Sequence, residues 1–334
     1  MNEHKPPAIS ARGLIAAAAY YIVYVLLLPV TLIGYVLSTV SYFLSGRSSG
    51  VSRMAQAPLM ARWYQHHLGT RQDEPANRLL RVITRVPLAI PLGMGPVILA
   101  HRVSGYVPKS YRYPFEGEVT LGTETRARQA FFDSVIERYL PGMTQFVVLG
   151  AGFDTRALNL PKDAPVRSFE VDTASTQAAK RKMLADAGID PTGVAFVSAD
   201  FEMEDWLSRL IDGGFDPSWP ALFIWEGVMM YLDREAVEDT LRKIAGLAKG
   251  SAVAFDYFTS DVLESQTLFM RTVRAWLNAS GEPLKFGIDS TPPSRERLTE
   301  LLRSCGLSLA EQRTLGEETQ GKLAWGGFAV AIVK

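Results

Sequence analysis

The chain has 334 residues, of which 35 are basic and 35 are acidic. This balance leaves no overall field that would favour nucleic acid or an acidic partner, so we expect no nucleic-acid function. The single cysteine, Cys305, excludes an internal disulfide framework, and four histidines without a Cys/His cluster argue against a structural zinc site. We therefore assign no metal site.

The first predicted element is an apolar segment near the N-terminus. Residues 13–46 contain no charged side chain. A membrane-spanning helix needs roughly 20 apolar residues, and a helix on a soluble domain normally has a polar face. A signal peptide is the main alternative, but its apolar region is only about 7–15 residues long. We predict that residues 1–46 are membrane-embedded, either as a transmembrane helix or as a monotopic hairpin, with Pro29 or Gly34 as the kink.

Basic residues flank this segment unequally. Lys5 and Arg12 precede it, and a series of arginines follows it with few acidic residues between them: Arg47, Arg53, Arg62, Arg71, Arg78, Arg81 and Arg85. Basic residues concentrate on the cytoplasmic side of a membrane segment. The bias predicts a membrane-associated protein whose downstream part is cytoplasmic.

A basic linker with a second apolar stretch follows, over residues 47–119. The apolar stretch, residues 86–100, is too short to span a bilayer and is interrupted by prolines and glycines. Two interpretations stay open. It is either an interfacial or re-entrant piece that helps to form a lipid-facing entrance, or a buried connector against the next domain.

Strands and helices alternate over residues 120–334. QFVVLG, VRSFEVD, VAFVSAD, ALFIW and SAVAFDYF have the composition of buried strands, and LSLAEQRTL and GGFAVAIVK supply two more. Strands separated by helical crossovers predict an α/β fold with an open, mostly parallel, Rossmann-like sheet. Ligands of such sheets bind beyond the carboxyl ends of the strands.

The loop after the first strand reads GAGFDTR. A dinucleotide site has the pattern G-x-G-x-x-G, but here Thr155 replaces the third glycine. The carboxylate of Asp154 would also lie close to an anionic pyrophosphate. A nucleoside with a zwitterionic amino-acid tail and no phosphate avoids both problems. We predict that Gly150, Ala151, Gly152 and Asp154 bind S-adenosylmethionine, although Asp154 could instead cap the following helix.

Acidic residues end the second strand. Glu170 and Asp172 lie on the same strand face, about 20 residues after the glycine loop, where an acid binds ribose hydroxyls. Both are candidates, and Asp172 is favoured because it is nearer to the strand end.

The third and fourth strands end in further candidates. Asp200 is placed for the adenine amino group, with Phe201 as a ring contact. The fourth strand ends in Trp225, Glu226 and Gly227, where Glu226 could hold the ammonium or sulfonium group of the ligand. A single carboxylate at a strand end is more often a helix cap, but acids at successive strand ends favour a nucleoside site.

These motifs, in the order GAGFDTR, FEVD, SADFEMEDW and WEGVMMYL, resemble the leucine carboxyl methyltransferase-like family, from about Thr123 to the C-terminus. Its members are class I S-adenosylmethionine-dependent methyltransferases, including bacterial polyketide and natural-product O-methyltransferases. The resemblance implies a seven-stranded sheet with its last strand antiparallel. It also implies an arginine before the first strand that pairs with the cofactor carboxylate. Arg126 and Arg128 are both candidates, since Asp133 comes two residues later than in the common bacterial pattern.

The predicted function is O-methylation of a carboxylate or an acidic hydroxyl on a lipophilic small molecule or lipid. No histidine follows His101, so a general base in this half would be an acid or a tyrosine such as Tyr231, the catalytic candidate, or Tyr257. Residues 261–293, with Phe269, Trp276 and Phe286, are the expected substrate cover.

Two alternatives stay open: a non-catalytic membrane protein that keeps a nucleoside-binding module, and, less favoured, an NAD(P)-dependent oxidoreductase. The sequence does not predict the oligomeric state.

Overall fold

A computed structural model describes residues 10–44, 56–83, 86, 88–115, 119–120, 122–160, 165–289, 291, 293–316 and 323–334. The chain forms two compact units, Met1–Ser49 with Met60–Glu116 and Gly50–Leu59 with Gly117–Lys334. Several residues of the predicted membrane segment and linker lie outside the described residues: Lys5, Arg47, Arg53, Arg85 and Pro87.

The first unit is helical. Its helices are α1 (Ala11–Leu26), α2 (Leu28–Leu44), α3 (Gln56–His67, of which 56–59 belong to the second unit), α4 (Glu74–Ile83) and α5 (Ala89–Ser104). Helix α5 packs on both α1 and α2. At the contact between α2 and α5, a Cβ atom added to Gly34 would lie 2.0 Å from the backbone nitrogen of Gly93. The two backbones therefore meet directly, as small residues allow.

The N-terminal apolar segment forms two helices. The break is at Leu27, two residues before Pro29, and the pair Ala11–Leu26 and Leu28–Val40 bends by 58° there, whereas Gly34 lies inside α2. Pro29 has no N–H for the carbonyl of Val25 and its ring crowds that carbonyl, so the helix ends just before it. Within the described residues, no helix taken singly has the length and apolar composition of a membrane span, whereas the bent pair together has both.

The second apolar stretch is mostly helical, so the expectation that proline interrupts it is wrong. Helix α5 continues through Pro91 and Pro96 to a left-handed Gly105. Pro91 lies in the first turn, where an N–H would have no helical partner, and Pro96 removes one bond from a helix that packs on two others. Helix α5 has a buried side and an exposed side, since Met94 is buried and Val103 is exposed.

The second unit contains the sheet. Its strands are β1 (Gln145–Leu149), β2 (Arg167–Asp172), β3 (Val194–Ser198), β4 (Ala221–Trp225), β5 (Ala252–Phe258), β6 (Ser308–Leu315) and β7 (Gly326–Ile332). The helices are α6 (Glu124–Tyr139), α7 (Arg156–Asn159), α8 (Ala174–Asp186), α9 (Trp206–Asp212), α10 (Arg234–Ala245), α11 (Ser260–Glu264), α12 (Leu268–Ser280) and α13 (Ser294–Ser304).

The strand order is β3-β2-β1-β4-β5-β7-β6, and only β7 runs antiparallel to its neighbours. The predicted seven-stranded, mostly parallel sheet with an antiparallel last strand is confirmed. The central strands β1 and β4 are buried along their whole length, as their unbroken apolar sequences predict.

The topology brings the predicted loops to one edge of the sheet. Strands β1 to β5 are parallel, so the residues that follow them meet at the same edge. Because β7 is antiparallel, its first residue, Gly326, pairs with Phe258 and Leu315 at the ends of β5 and β6. The loops around β5, β6 and β7 therefore reach this edge as well.

Candidate active site

The glycine loop follows β1. Gly150 and Gly152 have positive φ angles of 66° and 43°, which glycine adopts without strain. A Cβ atom at position 150 would also lie 2.3 Å from Cγ2 of Val228, in the loop after β4. Two independent constraints thus require glycine at position 150.

The amide groups of this loop are already occupied. The N–H groups of Gly150 and Ala151 donate to the carbonyl of Val171 at 2.8 and 3.2 Å. The N–H of Gly152 donates to Oδ2 of Asp172 at 2.7 Å. Phosphate-binding loops use such amides to hold the anion. The geometry therefore agrees with the prediction of a ligand without phosphate.

Asp172 is held at the end of β2. Its Oδ1 accepts from the N–H of Thr173 at 2.7 Å, opposite the bond to Gly152. Burial raises the pKa of Asp172, and these two N–H bonds oppose the rise. Each carboxylate oxygen has a second lone pair, so the residue can still accept from ribose hydroxyls.

Glu170, the other candidate on β2, lies in the interior. It is 1% exposed, and its Oε2 accepts from Nζ of Lys180 at 2.5 Å. Lys180 also donates to the carbonyl of Asp154 at 2.7 Å, so this pair ties α8 to the glycine loop. Burial raises the pKa of Glu170 to about 7 although Lys180 opposes it. Of the two acids on this strand, Asp172 is therefore the one at the ligand edge.

Glu226 joins two arginines. Its Oε1 accepts from Nε of Arg128 at 3.1 Å, and its Oε2 accepts from Nη1 of Arg156. Nη1 of Arg128 also reaches Oδ2 of Asp256 at 3.1 Å and Oε1 of Glu124 at 3.2 Å. The ends of β4 and β5 are thereby connected to α6 and to the start of α7.

The two candidate arginines of α6 have different surroundings. Arg126 is half-buried and donates through Nη1 to the carbonyl of Gly122, one turn earlier. Arg128 lies in the carboxylate cluster, and its Nη2 keeps solvent access and has no hydrogen-bond partner in the described part of the chain. Arg128 is therefore the candidate that presents an available donor at the site.

Arg156 has a structural position that the sequence analysis did not assign. It is 3% exposed, donates through Nε to Asp133 at 2.7 Å and through Nη1 to Asp154 at 2.5 Å, and also bonds Glu226. Asp154 accepts from the N–H of Arg156 as well, at 2.7 Å. The structure thus shows the predicted bond of Asp154 to the helix start, and the contact of Asp154 with S-adenosylmethionine stays a prediction.

The cluster is rich in negative charge. Two guanidinium groups face five carboxylates, those of Glu124, Asp133, Asp154, Glu226 and Asp256. Burial raises the pKa of Glu124 and of Asp256; Arg128 opposes this, and Glu226 adds to it. Such a site complements a cationic ligand and repels a pyrophosphate.

The end of β3 carries the two adenine-site candidates. Oδ1 of Asp200 accepts from the N–H of Glu202 at 2.9 Å. Oδ2 of Asp200 has no hydrogen-bond partner among the residues that the structure describes. The ring of Phe201 is half-buried, with its centroid 6.0 Å from that of Trp206. Both residues stand at the ligand edge beside Asp172.

The remaining candidates have mixed outcomes. Trp225 is 0% exposed and packs in the core, because strand alternation places it on the same sheet face as Phe223, which that core covers. Gly227 has φ 70° and donates to Oδ1 of Asp256 at 2.6 Å.

Burial raises the pKa of Tyr231 further above neutrality, and nearby Glu282 adds to this. A phenolate base at that position is therefore disfavoured.

A cavity of about 490 Å³ opens beside this edge. It is mostly apolar, and its lining comes from the segment before α6, from α11 and α12, and from the chain between β6 and β7; Val262, Phe269, Met270, Leu323 and Trp325 are among its residues. Among the lining residues that the structure describes, Asp261 is the charged one. Of the aromatic residues expected to cover the substrate, Phe269 lines this cavity, Phe286 is in the core and Trp276 is exposed.

Comparison with known proteins gives the family resemblance independently. Residues 115–245 match the family model of leucine carboxyl methyltransferase. The resemblance predicted from the motifs is confirmed over that region.

Bacterial relatives match the same half of the chain. A protein of Mycolicibacterium vanbaalenii is 34% identical over 187 residues, which are 56% of this chain and 60% of that protein. One from Mycolicibacterium smegmatis is 39% identical over 144 residues, 42% of this chain and 47% of that protein. Both are named S-adenosyl-L-methionine-dependent methyltransferases. The chain thus spans less than two thirds of the length of these relatives.

Among solved structures, a methyltransferase from Thermobifida fusca is 16% identical with a TM-score of 0.45, covering 82% of this chain and 94% of that one.

The site residues that sequence reasoning missed are Glu124, Arg156 and Asp256. Asp256 had a signal, since it is the one charged residue in the apolar run SAVAFDYF. Arg156 belonged to the GAGFDTR motif but received no role. Glu124 had no signal, because a charged residue at a helix start is ordinarily solvated.

Proposed function

We propose that the protein is an S-adenosylmethionine-dependent methyltransferase. The observation that carries this proposal is the glycine loop, whose three amides are bonded to β2 and whose neighbours form a carboxylate-rich cluster. Such a site suits a nucleoside that is cationic and has no phosphate. The family match and the names of the relatives support the same cofactor. The oxidoreductase alternative needs a pyrophosphate at the position where the amides are occupied.

The donor set fits this cofactor. Asp172 would hold the ribose hydroxyls, Oδ2 of Asp200 the adenine amino group, and Glu226 the ammonium group of the tail. Nη2 of Arg128 would donate to the tail carboxylate. When bound, S-adenosylmethionine supplies an electrophilic methyl group on a sulfonium. The chain itself orients both reactants and excludes water.

The acceptor is proposed to be lipophilic, with an acidic hydroxyl as the methylated group. The apolar cavity at the same edge supports an apolar acceptor. An acceptor that ionises near neutral pH needs little help from a base, which agrees with the raised pKa of Tyr231. A carboxylate acceptor would be repelled by Asp261, whereas a hydroxyl can donate to it.

We also propose that the first unit attaches the enzyme to a membrane, with the second unit in the cytoplasm. The uncharged run of residues 13–46 and the bias of basic residues after it support this arrangement. A lipophilic acceptor dissolved in that membrane would then be concentrated near the enzyme.

The first test is calorimetric titration of the detergent-solubilised protein with S-adenosylmethionine, S-adenosylhomocysteine and NAD. We expect micromolar binding of the first two and none of NAD. Asp172→Ala should weaken binding at least tenfold, because a hydrogen bond to a charged group contributes about 1.5–3 kcal/mol. Asp186→Ala, an exposed change on α8, is the control. Binding of NAD alone, or of none of the three, would contradict the proposal.

A further inference from the structure

The outer face of α1 is apolar. Large side chains on the exposed side recur at helical spacing, namely Leu14, Ile15, Ile22, Val25 and Leu26, of which Leu26 is 73% exposed. The opposite side of the helix is less exposed, and helix α5 packs on α1. A helix at a water-facing surface normally shows the reverse pattern, with polar residues outside.

Helix α2 repeats this arrangement. Its Gly34 is buried against Gly93 of α5, and the exposed remainder of the helix carries Leu32, Ile33 and Val36. No charged side chain occurs in α2 or in residues 13–26 of α1. Exposed apolar patches of more than a few hundred Å² mark interaction surfaces. Because the axes of α1 and α2 differ by 58°, whatever covers them must follow a bend, which a fluid bilayer does more easily than one flat protein partner.

Helix α5 bridges the bend. Near its start, Gly93 meets the middle of α2. Just after its end, the ring of Tyr106 lies 5.7 Å from that of Tyr20 and 6.1 Å from that of Tyr21, in α1. The guanidinium of Arg112 lies over Tyr106 at 6.0 Å. Leu99 and Val103 of α5, and Leu88 just before it, are exposed apolar side chains as well.

The positions of these aromatic and basic side chains indicate how deeply the helices insert into a membrane. Tyrosines favour the level of lipid headgroups, and Arg112 lies with the tyrosine cluster beside the middle of α1. If α1 and α2 crossed the bilayer together as a bent span, that guanidinium would lie within its hydrocarbon core, at a cost of up to roughly 2.5–3.5 kcal/mol. We propose that α1, α2 and α5 insert together into one leaflet as a bent monotopic anchor, with α5 holding the bend. This rests on the membrane attachment in the proposed function.

The test is the sidedness of single cysteines. The native Cys305 is buried and is first replaced by Cys305→Ser. Ser10→Cys precedes α1, Leu28→Cys lies at the bend, and Met203→Cys is an exposed position of the second unit. Inverted inner-membrane vesicles from expressing bacteria are treated with a membrane-impermeant maleimide before and after permeabilisation.

We expect Ser10→Cys and Met203→Cys to be labelled without permeabilisation and Leu28→Cys to stay protected. Labelling of Ser10→Cys only after permeabilisation would show a span and overturn the proposal. Labelling of Leu28→Cys in intact vesicles would overturn the proposal too. So would protection of Leu28→Cys by a protein dimer in the absence of lipid. None of these readouts depends on methyl transfer, and titration with S-adenosylmethionine reports separately on the proposed activity.

Discussion

At the scale of single residues, the glycine loop combines a backbone constraint with a packing constraint. Gly150 has φ 66° and leaves no room for a side chain against Val228. Both constraints apply to Gly150, since the chain turns sharply after β1 and the loop after β4 packs over that turn. The loop thereby stays close to Asp172.

Gly150→Ala should destabilise the protein by about 1–3 kcal/mol, from left-handed strain and from the clash with Val228. The matched control is Gly95→Ala in α5, where an added Cβ meets nothing within 4 Å; there we expect no loss or a small gain. Chemical denaturation measures both. Adding Val228→Ala to Gly150→Ala should recover part of the loss, and a Gly150→Ala variant as stable as the wild type would refute the packing argument.

Arg156 is expected to affect the site indirectly, by holding its acidic partners in place. It is buried and bonds acids from α6, the glycine loop and the end of β4. Arg156→Lys keeps the charge but loses the planar fork, so Glu226 loses its fixed orientation. We expect affinity for S-adenosylmethionine to fall roughly 10- to 100-fold in calorimetry. Arg138→Lys, at an exposed arginine of α6, should leave it unchanged; equal effects of both changes would contradict this role.

At the scale of elements, the insertion after β5 forms one wall of the cavity. Helices α11 and α12 contribute Val262, Phe269 and Met270 to the lining. The antiparallel β7 brings Trp325 to the same edge. Acceptor size is therefore expected to depend on α11 and α12, and cofactor binding on the ends of β1 to β5.

Val262→Phe should narrow the cavity. For the first acceptor found to be methylated, we expect KM to rise about tenfold, which corresponds to roughly 1.4 kcal/mol. The dissociation constant of S-adenosylmethionine should not change. Leu263→Phe, on the same helix but outside the lining, is the control. A loss of cofactor affinity with unchanged KM would show that the cavity does not hold the acceptor.

At the scale of the whole molecule, buried acids make stability depend on pH. Glu170 has an ordinary pKa of 4.5 when unfolded and about 7 in the folded protein. Between these values the folded state binds more protons than the unfolded state, so stability falls as pH rises. The contribution of Glu170 is complete below pH 4.5 and is lost as the pH passes 7.

Glu170→Gln should remove this dependence. The thermal midpoint of the wild type relative to the variant should decrease steadily from pH 4.5 to 7 and then level off. The total is about 3.5 kcal/mol at most, at roughly 1.4 kcal/mol per pKa unit. Glu137→Gln, an exposed change on α6, should leave the profile unaltered. If the thermal midpoint of the wild type, relative to that of Glu170→Gln, rose with pH, the predicted direction would be wrong.

Local sequence patterns were sufficient to predict the strands and helices of the second unit and the sheet edge at which its ligand is expected to bind. Unbroken apolar runs identify strands, and the order of strands and helices predicts a parallel sheet. The residues next in sequence to the strand ends, including Asp172, Asp200 and Glu226, follow from this because parallel strands place their ends together.

Tertiary structure decided which charged groups meet. Arg128 contacts residues that lie 98 and 128 positions later, and a short sequence window does not contain such pairs. Burial then separated Glu170 and Trp225 from the ligand edge, and α5 joined α2 through Gly93 and Gly34. The strands and the glycine loop follow from short-range sterics and periodicity, whereas the partners of a charge depend on which distant backbones the folded sheet brings together.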